Sequence, residues 1–221
     1  PMLRKLDNVD YATFIELPGS ASSLSPGVSA KEIFDDGEQL LDACEELGLS
    51  IGAVMAVREA RLTGEAHAVA AMRRGLDVMR EDTTAPIANP QRSLGGLIGG
   101  EAKLVDATSR NDLSASLMGA VQTDAVARAM AVLERSATMG VIVAAPTAGS
   151  AGVVPGCVLA LADRLQLDDE QVMDALYCAA AIGLNLTTSA CVAGAEGGCQ
   201  AEVGSAAAMA AAALVQMLGG T

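Results

Sequence analysis

The stretch Val203-Gly204-Ser205-Ala206-Ala207-Ala208-Met209-Ala210-Ala211-Ala212-Ala213-Leu214-Val215-Gln216-Met217-Leu218-Gly219-Gly220-Thr221 carries no charge and is mostly alanine. Two other runs are equally uncharged, Ser136 to Ala162 and Ala175 to Ala195. Apolar runs above about 18 residues have the length of a membrane span. The first run, however, is broken by Pro146-Thr147, Gly149-Ser150 and Pro155-Gly156, and the second by Asn185 and three hydroxyl residues. The third offers alanine, which drives insertion only weakly. With no aromatic belts and with acidic flanks, the three read as buried helices interrupted by glycine turns.

The wider composition points the same way. The chain is 51% hydrophobic but only 2% aromatic and has no Trp, so Ala, Val, Leu, Met and Gly must supply the packing. Small side chains let helices approach closely, and an all-α, compact helical domain with Gly-rich loops is the expectation. A length of 221 residues suits one such domain. A formal net charge of −13 argues against nucleic acid and anionic membranes as partners, since both attract basic surfaces. The five cysteines, Cys44, Cys157, Cys178, Cys191 and Cys199, form no small-domain disulfide pattern, and Arg4-Lys5 is not followed by a signal-like apolar run. Reduced thiols in a cytoplasm are expected.

Residues 1–28, with Pro18-Gly19-Ser20 and Ser25-Pro26-Gly27, read as a tail or linker before a domain at 29–221. Ser29 and Glu32 fit a capping box opening a first helix. Ile33, Leu40, Leu41, Cys44 and Leu47 share its apolar face, and Gly48 closes it. A second helix starts from Ser50. A third spans roughly 64–81 with Val69, Met72, Leu76 and Met79 on one stripe. Residues 82–100 read as a long Pro/Gly-punctuated loop, and helical pattern resumes over Glu101–Ala107 and about 112–138.

Three segments have the means for chemistry. In Ala145-Pro146-Thr147-Ala148-Gly149-Ser150-Ala151-Gly152-Val153-Val154-Pro155-Gly156, glycines expose backbone N–H groups and Pro155 suits the start of a helix. A small anion fits such a loop, with the hydroxyls of Thr147 and Ser150 as added donors, although a Gly-rich turn is also a common structural device. No Gly-Lys-Ser/Thr follows, so it is not a Walker loop. In Gly194-Ala195-Glu196-Gly197-Gly198-Cys199-Gln200-Ala201-Glu202-Val203-Gly204-Ser205, Cys199 follows two glycines at the start of a helical run, where the dipole favours thiolate. It is the best ligand or nucleophile among the cysteines. Cys191 reads as core packing, as do Cys44, Cys157 and Cys178 on their apolar stripes. In Gly99-Gly100-Glu101-Ala102-Lys103-Leu104, Lys103 has the reach to meet an anion, though a solvated surface lysine is the plainer reading. His67, off the apolar stripe, reads as solvent-facing, and no Ser/His/Asp set exists.

The stretch Ala145–Gly156 and the stretch Gly197–Ser205, with the alanine-rich helix to Gly219-Gly220-Thr221, resemble the iron–sulfur L-serine dehydratase alpha subunit in the same order and spacing. The resemblance covers about residues 29–221. It implies an all-α catalytic domain with a [4Fe–4S] cluster on three cysteines, one iron being left open as a Lewis acid for the serine hydroxyl. A base would remove the Cα proton, water would leave, and the aminoacrylate would hydrolyse to pyruvate and ammonia. It further implies that Thr147, Gly149, Ser150 and Gly152, with Lys103, bind the substrate L-serine, and that Cys199 is the first cluster ligand. The partner implied is a beta subunit or beta domain carrying a Ser-His-Thr motif, in an oligomer.

The sequence also departs from the family. Lys103 follows Ala102 directly, where the family usually inserts a residue. Ser189-Ala190-Cys191 stands where Asn-Ala-Ser is usual, and the family tends to have Asn near Ser136. The family continues past Gly-Gly-Thr to a Cys-Asp-Pro…Pro-Cys segment, so the expectation is a C-terminally incomplete chain, inactive alone. Three other readings stay open at this point: a related cysteine desulfidase, a non-catalytic scaffold that has lost the cluster, and a membrane transporter fragment with broken helices.

Overall fold

The computed structural model describes residues 33–109 and 118–220. All regular structure among them is helical. The helices are α1 (Gly37–Leu47), α2 (Ile51–Thr63), α3 (Glu65–Ala88), α4 (Glu101–Ser109), α5 (Ala120–Ala137), α6 (Val153–Leu165), α7 (Asp169–Ser189) and α8 (Gly194–Met217), with a 3-10 turn at Ala148–Ser150. The all-α expectation holds.

Helix starts follow local side-chain chemistry. Ser50 caps α2 by accepting from the Ala53 N–H, as its position before an apolar run predicts. Asp168 and Gln171 form a reciprocal capping box on α7. The Ser29–Glu32 box lies outside the described residues. Residues 33–36 are not helical, and α1 begins where Asp36 accepts from the Gln39 N–H at 2.9 Å. Gly48 closes α1 in the left-handed region at φ 62°, as expected. The α1 face is narrower than its pattern suggests: Leu40 and Ala43 are buried against α2 and the Tyr177–Ala181 part of α7, while Leu41 and Leu47 are exposed.

The expected loop over 82–100 is shorter than predicted, because α3 continues to Ala88 through Pro86. Proline removes one N–H and crowds the preceding turn. Tertiary packing overrides this: Asp82, Thr83 and Pro86 are all buried, and α3 packs against α5. Locally, the hydroxyls of Thr83 and Thr84 donate back to the carbonyls of Met79 and Arg80 at 2.9 and 2.7 Å.

Two hydrophobic clusters meet on α7. One joins Leu76 and Met79 of α3, Val154, Val158 and Leu159 of α6, Val172 and Leu176 of α7, and Met209 and Ala213 of α8. The other gathers Phe34, Leu40, Val54, Met55, Tyr177 and Ala181. Cys178 is buried, and Cys44 and Cys157 pack against the clusters, as predicted. Burial pushes the Cys178 thiol up to about 11 and raises those of Cys44 and Cys157, so none is poised as a thiolate. By length and composition the stretches Ala148–Leu165 and Gly194–Met217 are long and apolar enough to cross a membrane. In this fold, seven α6 residues and four α8 residues are buried in the bundle.

Asp82 joins α3 to α5. Its carboxylate lies 3.4 Å from Arg135 Nε, too poorly aligned for a hydrogen bond, while Arg135 also pairs with Glu81 at 3.0 Å. Burial pushes the Asp82 carboxyl up to about 6, against the pull of Arg135 and with a further push from Glu81. The native state therefore keeps a proton that the unfolded chain releases near the ordinary aspartate value, about 3.9. Its stabilising effect is complete below that value and is lost as pH rises through the native one. Denaturant unfolding between about pH 4 and about pH 7 should show this loss in the native chain and a flatter profile in Asp82→Asn.

Candidate functional site

The Gly-rich loop after α5 is built from the inside. Ser150 is buried, and its hydroxyl donates to the Ala145 carbonyl at 3.1 Å across a cis Ala145–Pro146 peptide. The 3-10 turn Ala148–Ser150 follows and leads into α6, whose N-cap Gly152 offers no side-chain bond to the first turn. First-turn amides of a helix have no intrahelical acceptor. This end of α6 therefore keeps the donors and positive dipole that suit an anion. Pro155 lies inside the first turn, where its missing N–H costs little.

Gly152 and Gly156 have a packing reason to be glycine. A Cβ on Gly152 would fall 2.5 Å from the Ala129 carbonyl oxygen, and one on Gly156 would fall 2.7 Å from that of Ala125. The α5 and α6 backbones thus touch, and this contact sets the loop's position. Beside it lies a cavity of about 480 Å³, lined by Val126, Met130, Leu133 and Ser136 of α5 and by residues 148–153.

The second segment meets the first. α8 is kinked at Gly198 (φ 75°, ψ 173°), so Cys199 begins the long helical run, as the sequence suggests. Cys199 is exposed, and Glu202 lies one turn further along the same face. Thr147 Oγ1 donates to Glu202 Oε1 at 2.7 Å. Glu202 Oε2 lies where a Cβ on Gly149 would be 3.0 Å away and one on Gly194 2.7 Å away. Both glycines thus make room for one carboxylate. Glu202 is half-buried, and among the described residues no Lys or Arg pairs with it. Arg164, in the last turn of α6, is the sole cation in residues 136–221.

The structure thus brings Thr147, Gly149, Ser150, Gly152 and Cys199 into one neighbourhood through a residue the sequence reading did not single out. The hydroxyls of Thr147 and Ser150 are already committed, to Glu202 and to Ala145, and Thr147 Oγ1 also lies 3.2 Å from Ser150 Oγ. The N–H groups of Ser150 and Ala151 close turns on the Thr147 and Ala148 carbonyls, and those of Ala148, Gly149, Gly152 and Val153 remain as the loop's donors. The signal for Glu202 was its isolation as the one charge in residues 197–221.

Lys103 is not brought to this loop. It is exposed and lines a separate cavity of about 570 Å³ with Asp106, Asp124 and Arg128. The start of its helix, α4, is held by buried Glu134, which accepts from the Gly100 N–H at 3.0 Å and the Ala102 N–H at 2.7 Å. Glu134 was also missed, although its place three residues after buried Ala131 puts a charge on a core stripe. His67 is exposed, as expected.

Cys191 departs from the core-packing expectation. The chain leaves α7 at Ser189, so Cys191 is exposed in the connection to α8, and its thiol donates to Glu196 at 3.1 Å. Among the described residues, no three His, Cys, Asp or Glu side chains are grouped so as to hold a metal ion. An exposed Cys199 on a kinked helix start fits one ligand position, but these residues do not by themselves complete a cluster site.

Residues 46–221 match the family profile described as serine dehydratase alpha chain. The chain belongs to the serine dehydratase alpha chain family. It is 40% identical over 191 residues to the probable L-serine dehydratase alpha chain of Bacillus subtilis (strain 168), covering 86% of this chain and 63% of that one. It is 36% identical over 191 residues to the L-serine dehydratase alpha chain of Peptoniphilus asaccharolyticus, covering 86% and 65%. Against the L-serine dehydratase of Mycobacterium tuberculosis it is 37% identical over 209 residues, covering 89% and 42%. The chain spans less than two thirds of the length of each of these relatives.

The close approach of α6 to α5 carries a test. Gly152→Ala should cost about 1–3 kcal/mol through the clash with Ala129. Gly204→Ala, at an exposed position of α8 with nothing within 4 Å of an added Cβ, should be neutral or gain up to about 1 kcal/mol. Chemical unfolding of both variants checks the contrast.

Proposed function

We propose that this chain is the alpha part of an enzyme that dehydrates L-serine to 2-aminoacrylate, which hydrolyses to pyruvate and ammonia. The observation that carries the reading is the joining of the Thr147–Gly156 and Cys199–Glu202 segments in a family whose members bear the L-serine dehydratase name. Those names favour serine over cysteine as the substrate.

In this reading the substrate sits at the loop. The backbone N–H groups of Ala148, Gly149, Gly152 and Val153, at the start of α6, receive its carboxylate, since a helix N-terminus binds an anion without a counter-cation. Val126, Met130 and Leu133 give the adjoining cavity an apolar wall on that side. Cys199 would supply one thiolate to a [4Fe–4S] cluster. When bound, the cluster supplies a Lewis acid that makes the serine hydroxyl a viable leaving group. The beta component implied by the alpha-chain name of the relatives completes the assembly. A cytoplasm is the compartment proposed for it, because five cysteines without a small-domain disulfide pattern suit a reducing environment.

The test uses the alpha chain with its beta partner, reconstituted anaerobically with iron and sulfide. Iron–sulfur absorbance and serine-dependent pyruvate are expected, and Cys199→Ala should lose both. Cys157→Ala, a substitution on a core-packed thiol, should keep both at a cost of about 1 kcal/mol in stability. Sulfide release from L-cysteine without pyruvate from L-serine would instead mark a desulfidase. Absence of cluster and of both activities would mark a scaffold.

A further inference from the structure

Glu202 is the unusual group of this site. Its carboxylate is held by one hydroxyl with no cation beside it, which leaves it free to take a charged donor. Among the described residues Glu202 has one donor, the Thr147 hydroxyl, on Oε1. Oε2 faces Gly149 and Gly194 with no donor and no Lys or Arg. Both positions are glycine where a Cβ would crowd that oxygen, so two glycines border a carboxylate oxygen that stays open to water. The Thr147 bond fixes the carboxylate's orientation and leaves its second oxygen to accept.

We infer that Glu202 is the anchor for the α-ammonium group of the substrate. The inference rests on the serine reading above and deepens it, naming a residue for the one charged substrate group that the loop amides cannot hold. An amino acid carries its carboxylate and ammonium on the same carbon. The site offers the matching pair: N–H donors at the start of α6 for the anion, and Glu202 across Gly149 for the cation. Binding the ammonium gives Glu202 Oε2 a charge-assisted hydrogen bond in place of water. The same pairing selects against acids that lack the amino group, because these would leave Glu202 uncompensated beside a second carboxylate.

The experiment compares L-serine with 3-hydroxypropionate, which keeps the carboxylate and hydroxyl and lacks the ammonium, on the assembled enzyme. Glu202→Gln keeps an oxygen for Thr147 and removes only the charge. KM for L-serine should rise about 10- to 100-fold, with a smaller effect on kcat, as expected for loss of a charged hydrogen bond. The inhibition constant of 3-hydroxypropionate should stay the same or improve. An unmoved serine KM, or parallel weakening of both compounds, overturns the assignment and leaves Glu202 as a clamp on the loop. Should the glutamine variant not fold, Glu202→Asp carries the same comparison: an intermediate serine KM with unchanged inhibition supports the anchor, and parallel losses overturn it. An unaltered enzyme that forms no pyruvate overturns the serine reading instead. Calorimetric binding of the two compounds to native and variant protein then tests Glu202 separately.

Discussion

The hydrogen bond from Thr147 to Glu202 is the contact on which the arrangement of the site depends. It ties the loop before α6 to the first full turn of α8, so the two segments with the means for chemistry act as one unit. Neither end is free to drift. The loop is fixed from behind by Ser150 and by the glycine contact of α6 with α5, and the α8 end is fixed by the bundle core through Ala206 and Met209. A binding site needs its groups held to within fractions of an ångström, and helices deliver that more reliably than loops alone.

The two Gly-rich segments share an electrostatic logic. Each exposes backbone donors at or near a helix start, and each is met by a glutamate from elsewhere in the chain. At α4 the buried Glu134 accepts two amides and closes that end. At the Thr147 loop Glu202 accepts a hydroxyl and leaves the α6 amides alone. The first pairing is saturated and structural. The second is incomplete, and an incomplete pairing at half-burial is what a ligand can complete.

Much of this was legible in the residues. Ser50 and Gly48 mark helix boundaries through local hydrogen bonds, and local chemistry needs no knowledge of the fold. Apolar periodicity located the core cysteines, and Gly197-Gly198 marked the helix start at Cys199. What failed depended on distant partners. Pro86 reads as a helix breaker until the burial of Asp82 and Thr83 against α5 is known. Cys191 reads as core because its run is apolar, yet the chain turns away from the bundle at Ser189. Glu134 and Glu202 were invisible as anchors, because their partners lie 32 to 34 and 55 residues away in the sequence. Gly149 and Gly194 read as turn residues, and the structure also sets both against the Glu202 carboxylate.

The central claim is that Thr147 and Glu202 are energetically coupled, and a double-mutant cycle measures this directly. Thr147→Val, Glu202→Ala and the double variant would be compared with the native chain by denaturant unfolding. The account predicts a coupling of about 1–3 kcal/mol, the range for a hydrogen bond to a charged acceptor. Additive losses, with a coupling indistinguishable from zero, would contradict it.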